Sequence, residues 1–342
     1  MIREAIAKLV ERKDLTEQEA ESAVGDIMRG EATPSQVGGF LIALRMKGET
    51  VDEVAGCARA MRAASVKVRA TRTPLVDTCG TGGDGAGTFN ISTTVALVVA
   101  GAGVAVAKHG NRSVSSSCGS ADVLEALGVA IDLGPEAVGR CIDEVGIGFL
   151  FAPRYHPAMK YAGPTRKEMG VRTVFNILGP LTNPAGAPMQ LIGVYSPELT
   201  DPMAQVLARL GATRAMVVHG AGGLDELSTS GLSRVTRLDR GQIATEYVDP
   251  LVLGIASPGA AALKGGKAED NARLIMDLLK GEKGPRRDIV LLNAAAALMT
   301  CGKAADYAEG MSIAAEAIDT LRAYRVLGEL VRFTRELAKK AS

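Results

Sequence analysis

The sequence has almost no net charge. Its 39 lysine and arginine residues stand against 38 aspartate and glutamate residues, which leaves a formal net charge of +1 at pH 7. A chain without an excess of one sign has no global field that attracts nucleic acid or an anionic membrane surface. We therefore expect no nucleic-acid and no membrane partner, and any anion site must be local.

Long hydrophobic runs are also missing. The one strongly apolar stretch, VALVVAGAGVAVA at 95–107, is interrupted by Gly101 and Gly103 and is too short to span a bilayer. The N-terminal segment carries acidic residues among its first positions and has no uninterrupted apolar stretch, so it does not resemble a signal peptide.

The sequence lacks paired cysteines. Its five cysteines are an odd number, lie far apart and form no C-x-x-C pair, which argues against a disulfide framework and against a zinc site. They are Cys57, Cys79, Cys118, Cys141 and Cys301. A reducing cytoplasm is the expected location.

Residues 1–70 are predicted to form a small helical domain. Three hydroxyl residues are each followed, three positions later, by an acid or an amide, which is the pattern of a capping box at the start of a helix. The pairs are Thr16 with Glu19, Thr33 with Gln36, and Thr50 with Glu53. Apolar residues behind the second pair recur at helical spacing and predict one buried face. They are Val37, Phe40, Leu41 and Leu44.

Residues 71–342 are predicted to form a larger α/β domain. Short β-branched runs alternate with glycine-rich turns and helical patterns, which indicates a mostly parallel central sheet covered by helices. The strand candidates are LVDTCG, VAVAKHG, IGFLFA, MQLIGVY and RAMVVHG. A helical segment at about 160–185 interrupts this rhythm, and we expect it to join the N-terminal helices. The tail 268–340 is predicted to be helical, with a buried helix at DIVLLNAAAALM.

The segment GTGGDGAGTFN at 80–90 contains the G-x-G-x-x-G spacing of a dinucleotide-binding loop. That site also needs an acid about 20 residues further on, which binds the ribose hydroxyls. No Asp or Glu occurs between Asp84 and Asp122, and the second strand ends instead in KHGNRSVSSSCGS, which is rich in cations and hydroxyls. Such donors suit phosphate oxygens, so a phosphate loop is favoured over a dinucleotide loop.

Backbone amides are the expected anion ligands of this loop. Glycines at positions 80, 82 and 83 let successive amides turn inward as a nest. The following NIST sequence begins a helix, whose free amides and the hydroxyls of Ser92 and Thr93 face the same crevice. Because the carboxyl ends of parallel strands meet at one edge, these donors converge there with the KHGN strand end. The sequence thus predicts a ligand with more than one phosphate.

An acidic pair follows the strand RAMVVHG. Magnesium normally accompanies a ligand with several phosphates and requires only one or two carboxylates from the protein. Asp225 and Glu226 are the candidate ligands. An adjacent acidic pair after a strand is, by itself, more typical of a solvated loop or helix start, so this assignment depends on the anion site beside it.

Four segments resemble anthranilate phosphoribosyltransferases, in the same order and over essentially the whole chain. They are GTGGDGAGTFNIST, KHGNR with GSADVLEALG, GPTRKEMGVRTVFNILGPLTNP, and VVHGAGGLDELS. The resemblance implies a homodimer that transfers phosphoribose from 5-phosphoribosyl 1-diphosphate to the amino group of anthranilate, the second step of tryptophan biosynthesis from chorismate. It also implies magnesium, with two ions per subunit.

The resemblance also assigns site residues by position. The diphosphate loop is matched by Gly80, Gly83, Asp84 and Thr88, and the turn after it by Asn90, Ile91, Ser92 and Thr93. The magnesium positions are Ser92, Asp225 and Glu226, and the catalytic group is Lys108, Asp225 and Glu226. The residues that contact the phosphoribosyl group are Lys108, His109, Gly110, Asn111, Arg112, Ser113, Val114, Ser115, Ser116 and Ser120. The anthranilate contacts are Gly80, Asn111 and Arg166.

The chain departs from the commonest family form at Ser113, Ser117 and Cys118. Two assignments also have simpler structural alternatives. His109 is more typical of a structural histidine that orients its loop than of a catalytic one. Arg166, outside the resemblance, is one charge of a solvated helix face.

Departure of diphosphate builds negative charge that magnesium, Lys108 and the loop amides can stabilise. The aromatic amine of anthranilate is already neutral at pH 7, so positioning contributes more than a general base. Arg166 can hold the anthranilate carboxylate, with His156, Met159 and Tyr161 bordering the ring.

Two alternative functions remain at this stage. The first is a nucleoside phosphorylase of similar architecture, which cleaves a base from ribose with free phosphate. The pair Asp225–Glu226 argues against it, because binding free phosphate needs no magnesium ligands. A non-catalytic nucleic-acid-binding relative would keep the fold, but the net charge of +1 and the intact anion motifs argue against it.

Overall fold

The computed structural model describes residues 1–113 and 117–341. It begins with four helices, which we call the helical unit: α1 (Ile2–Val10), α2 (Glu17–Arg29), α3 (Pro34–Lys47) and α4 (Val51–Ala64). The three predicted capping boxes all form, at Thr16, Thr33 and Thr50. The predicted apolar face of α3 is buried. Local start patterns therefore placed α2, α3 and α4 correctly.

A seven-stranded sheet forms the centre of the remaining chain. The strands are β1 (Leu75–Gly80), β2 (Ala105–Gly110), β3 (Ile147–Phe151), β4 (Met189–Gly193), β5 (Arg214–His219), β6 (Ser233–Asp239) and β7 (Gln242–Val248). Their order is β3-β2-β1-β4-β5-β6-β7. The first five strands of this order run parallel and are the five that the sequence predicts. The predicted mostly parallel sheet is confirmed.

The hairpin of β6 and β7 is an addition to the predicted sheet. β6 pairs antiparallel with β5, and β7 pairs antiparallel with β6 across the two-residue turn Arg240–Gly241, both with positive φ. Every residue of β7 except the last is exposed. An edge strand without a buried face needs no apolar run, so the short β-branched runs that identified the other strands are missing here.

Helices cover the sheet between and after the strands. They are α5 (Ile91–Gly101), α6 (Ser120–Ala126), α7 (Pro135–Arg140), α8 (Ala152–Tyr155), α9 (Gly163–Met169), α10 (Phe175–Leu181), α11 (Thr200–Arg209), α12 (Ala268–Leu279), α13 (Pro285–Thr300), α14 (Tyr307–Asp319) and α15 (Arg322–Ala341). Single turns of π-helix or 3-10 helix occur at Cys141–Val145, Pro157–Tyr161, Pro197–Leu199 and Ala260–Leu263. The predicted buried helix is α13, whose residues 289–298 are all buried. The small helical region and the larger helix-covered sheet together confirm the predicted fold class.

The segment 157–185 packs on the helical unit. Ala162, Val174 and Leu178 share one buried apolar cluster with Phe40 and Leu41 of α3. The same cluster continues into one face of β4, β5 and α11, so apolar contacts join the helical unit to the sheet. The domain boundaries at 70 and 71, with 160–185 in the helical domain, stay a prediction.

In the part of the chain that the structure describes, every helix is too short or too polar to cross a bilayer. All five cysteines are free thiols.

Candidate active site

Gly80 ends β1 at the carboxyl edge of the sheet, directly beside Asp225. A Cβ atom on Gly80 would lie 2.2 Å from the Asp225 Oδ2 atom. Gly193, which ends the neighbouring β4, is still closer to the Asp225 backbone, because its Cβ would lie 1.4 Å from the Asp225 carbonyl oxygen. Glycine is therefore required at both strand ends so that the acidic turn can approach the sheet.

The glycine loop has a left-handed backbone at two successive glycines. Gly82 and Gly83 have φ values of 66° and 76°, in the left-handed region. The Gly82 N–H donates to the Asp225 Oδ2 atom at 2.8 Å. Thr81 fixes the start of the loop, because its N–H donates to the Gly193 carbonyl at 2.9 Å. An amide of this loop thus already binds a side-chain carboxyl oxygen.

Three carboxylates crowd together at this edge, and we call Asp84, Asp225 and Glu226 the acidic cluster. Burial raises the pKa of Asp225 to about 7, and the neighbouring Asp84 adds to the rise. Burial also raises the pKa of Glu226, with a further contribution from Asp225, while Lys108 and the Ser92 amide oppose it. Mutual repulsion in a site with little water favours protonation, and a nearby cation would reverse it.

Lys108 lies beneath the acidic cluster and is almost completely buried, at 2% exposure. Its Nζ atom donates to the Thr78 carbonyl at 2.6 Å and to the Ser92 hydroxyl at 3.3 Å. Burial lowers the pKa of Lys108, and the negative charge of Asp77 is the largest opposing effect. The ammonium therefore links β1, β2 and the start of α5.

Asp77 is a site residue that the sequence analysis missed. It is fully buried in β1, where its carboxylate accepts from the Asn183 side chain at 2.7 Å and from the His109 N–H at 3.1 Å. Burial raises the pKa of Asp77, whereas Lys108 and these two donors oppose the rise. An Asp at the centre of the predicted strand LVDTCG was the available indication, because a central strand rarely buries an unpaired charge.

The start of α5 is held by side chains from two distant segments. Asn90 donates to the Cys118 carbonyl at 3.2 Å and accepts from the Asn271 side chain at 2.9 Å. Ile91 and Thr93 are buried, and the Thr93 hydroxyl has no partner among the described residues. Thr88 pairs with Lys264 in an isolated antiparallel bridge, which closes the far end of the glycine loop.

The segment after β2 folds against the start of α6. Arg112 forms ion pairs with Asp122 at 2.9 Å and Glu125 at 2.5 Å, so its guanidinium is engaged by acids in this structure. The Ser113 N–H donates to Asp122 at 3.1 Å. The Ser120 hydroxyl donates to the Asn111 carbonyl at 3.2 Å, and Gly110 leaves room for that hydroxyl. The expected donors Val114, Ser115 and Ser116 lie outside the described residues.

His109 and His156 face each other below this segment. Their ring centroids are 5.1 Å apart, and the Nε2 atom of each ring is buried without a partner among the described residues. Burial lowers the pKa of His109 to about 3 and that of His156 to about 4. The His109 Nδ1 atom lies 3.2 Å from the Gly179 carbonyl, which requires a proton on Nδ1. Both rings are therefore neutral at pH 7.

Arg166 lies half-buried on α9, with its guanidinium carbon 5.0 Å from the centre of the Phe175 ring. Burial lowers its pKa. No carboxylate of the described residues forms a salt bridge with it, unlike Arg112. A half-buried guanidinium without a counter-ion is suited to a carboxylate from a ligand.

Comparisons with known proteins agree with this architecture. Residues 3–65 match the helical bundle domain of a glycosyl transferase family, and residues 72–324 match its a/b domain. The anthranilate phosphoribosyltransferase of Symbiobacterium thermophilum is 54% identical over 337 residues, covering 98% of this chain and 99% of that protein.

Two solved structures extend over nearly the whole chain. The crystal structure of the Thermus thermophilus anthranilate phosphoribosyltransferase has a TM-score of 0.92 and 49% identity, covering 97% of this chain and 99% of that one. The Saccharomyces cerevisiae enzyme in complex with PRPP and Mg has a TM-score of 0.89 and 27% identity, covering 98% of each chain.

The helical bundle and the sheet domain match the two domain models of a glycosyl transferase family, a class of enzymes that transfer a sugar group. Both domain models match in the expected order. The chain belongs to the anthranilate phosphoribosyltransferase family. The resemblance inferred from the sequence motifs is confirmed.

Proposed function

We propose that this chain transfers the 5-phosphoribosyl group of 5-phosphoribosyl 1-diphosphate to the amino group of anthranilate, which is the second step of tryptophan biosynthesis. The bond from the anomeric carbon to the diphosphate oxygen breaks, and a bond from the amine nitrogen to that carbon forms. The amine loses one proton, and diphosphate leaves. The products are N-(5-phosphoribosyl)anthranilate and diphosphate.

The inward-turned amide of Gly82, bound to a carboxylate oxygen, is the observation that best supports this proposal. The loop binds this anionic oxygen through its backbone, with no side chain to exclude a larger anion. Diphosphate offers the same kind of oxygen. Lys108 on β2, Asn90 before α5, and Ser113 and Ser120 after β2 would bind the rest of the phosphoribosyl group.

The acceptor would bind on the other side of the crevice, towards α9. Arg166 would hold the anthranilate carboxylate, since its guanidinium has no acidic partner among the described residues and is already desolvated. His156 is neutral and would border the aromatic ring rather than compete with Arg166 for the carboxylate. Gly80 and Asn111 would complete the acceptor site.

The acidic cluster suits magnesium. Magnesium takes few protein ligands and several phosphate or water oxygens, so one or two carboxylates are sufficient. Ser92, Asp225 and Glu226 would hold it, with two ions per subunit. When bound, it would neutralise the charge of the leaving diphosphate.

The test follows the loss of anthranilate fluorescence in the presence of 5-phosphoribosyl 1-diphosphate and magnesium. We expect Asp225→Asn/Glu226→Gln to lower kcat/KM at least about 100-fold, because charge stabilisation at the leaving group is lost. The matched control is Asp143→Asn/Glu144→Gln, an adjacent acidic pair before β3 at the opposite edge of the sheet. A folded wild type that leaves anthranilate unconsumed would refute the acceptor assignment.

We also propose a homodimer formed by the helical unit, in the cytoplasm. Ile42 and Met46 lie one turn apart on α3 and are 39% and 67% exposed, and Val10 of α1 is 69% exposed. A second copy that covers this face would bury them. Light scattering should give twice the chain mass, and Met46→Glu should lower it. The free cysteines are consistent with a reducing compartment.

A further inference from the structure

Arg172 is an exposed arginine between α9 and α10 that reaches the glycine loop from the helical side of the crevice. Its Nη2 atom donates to the Gly83 carbonyl. Its guanidinium carbon lies 4.3 Å from the centre of the Tyr195 ring, in cation–π contact. The side chain is therefore held on one side by a ring and on the other by the loop backbone.

The orientation of the Gly83–Asp84 peptide determines what the loop offers to an anion. The carbonyl and the N–H of a planar trans peptide point in opposite directions. With the Gly83 carbonyl directed at Arg172, the Asp84 N–H points away from Arg172. If the Gly83–Asp84 peptide flipped, its carbonyl oxygen would take the place of the Asp84 N–H and would repel phosphate.

A flip of this peptide costs little free energy at Gly83, because glycine adopts many backbone conformations. Other contacts fix the neighbouring part of the loop: Gly82 is bound to Asp225, and the Thr81 hydroxyl accepts from the Tyr195 N–H at 3.2 Å. Within the described residues, Arg172 is the hydrogen-bond donor to the Gly83 carbonyl. A side chain at Gly83 would also obstruct it, since a Cβ would lie 3.2 Å from Nη2.

Arg172 connects parts of the protein that border the crevice from two sides. Val174 and Phe175, which follow it, are buried in the apolar cluster that contains α3, whereas Gly83 and Tyr195 follow strands β1 and β4. The Arg172 guanidinium thus joins the segment 157–185 to the glycine loop.

We propose that Arg172 is a positioning residue for the diphosphate-binding loop, which it serves by holding the Gly83 carbonyl outward while its guanidinium lies on Tyr195. This inference rests on the proposed function, since it concerns the affinity of the loop for diphosphate. It requires the planar, forked guanidinium, because a lysine ammonium can reach a carbonyl but stacks poorly on a ring.

The experiment measures kcat and both KM values for wild type, Arg172→Met, Arg172→Lys and Tyr195→Leu. We expect Arg172→Met to raise the KM for 5-phosphoribosyl 1-diphosphate about tenfold, with little change in kcat or in the KM for anthranilate. Arg172→Lys should still show more than half of this rise in KM, on a logarithmic scale. Tyr195→Leu should raise the same KM about threefold. Calorimetric titration with inorganic diphosphate and magnesium should give the same order of affinities without turnover.

Arg140→Met is the matched control, since Arg140 is exposed and lies 5.2 Å from the Phe333 ring centre, away from the loop. It should leave both KM values unchanged. An unchanged KM in Arg172→Met, or full recovery in Arg172→Lys, would overturn the inference, because charge alone would then suffice. A wild type that binds diphosphate but does not consume anthranilate would instead contradict the proposed function.

Discussion

At Gly80, a single hydrogen atom in place of a side chain sets the distance between strand β1 and the acidic cluster. An alanine Cβ would lie 2.2 Å from the Asp225 Oδ2 atom, far inside van der Waals contact. We expect Gly80→Ala to displace Asp225 from the Gly82 amide, to lower kcat/KM at least about 100-fold and to destabilise the fold by about 1–3 kcal/mol. Urea unfolding and the fluorescence assay measure the two effects.

The same substitution at Gly328 supplies the comparison. Gly328 is exposed within α15, and no atom lies within 4 Å of its added Cβ. Gly328→Ala should raise stability by about 0.5–1 kcal/mol, because alanine restricts the unfolded chain and favours helix, and it should leave activity unchanged. If both variants changed stability in the same direction, the steric argument for Gly80 would fail.

At the scale of elements, the three capping boxes of the helical unit are alike in sequence but not in burial. Glu53 at the start of α4 is fully buried and accepts from the N–H groups of Thr50 and Leu15, and Lys47 lies 3.0 Å away. Glu19 at the start of α2 is partly exposed. We expect Glu53→Gln to cost about 2–4 kcal/mol, since one buried donor loses its acceptor, and Glu19→Gln to cost under about 1 kcal/mol. Equal shifts of the urea midpoint would show that burial does not matter here.

At the scale of the whole molecule, the pH dependence of stability should report on the buried His109 and His156 rings. Above the unfolded pKa of about 6.5, neither state binds their protons. As the pH falls below that value, the unfolded chain takes up protons that the folded chain, with pKa values of about 3 and about 4, refuses. Folding therefore loses free energy between about pH 6.5 and pH 4.

His156→Asn isolates this contribution from those of the carboxylates, whose protonation also changes with pH. From pH 8 to pH 5, the wild type should lose about 2 kcal/mol more unfolding free energy than the variant, as the shift of His156 alone implies. Parallel curves of unfolding free energy against pH would mean that His156 accepts a proton in the folded protein.

Local pattern was sufficient for the starts of α2, α3 and α4, the five parallel strands, the glycine loop and the family. Each depends on residues within a few positions of one another: Thr16 with Glu19, or the alternation of apolar and turn residues around a strand. The same holds for the candidate pair Asp225–Glu226, which the sequence located after β5 without establishing what it contacts.

Contacts between residues far apart in sequence determined how the site residues are arranged. Gly82 and Asp225 are 143 positions apart, so no local pattern could show that an amide of the loop binds this carboxylate. The pairing of Arg112 with Glu125, the buried Asp77 beneath Lys108 and the link from Arg172 to Gly83 likewise depend on how distant segments pack. Electrostatic and hydrogen-bonding energies vary with distance and burial, and only the folded chain sets both.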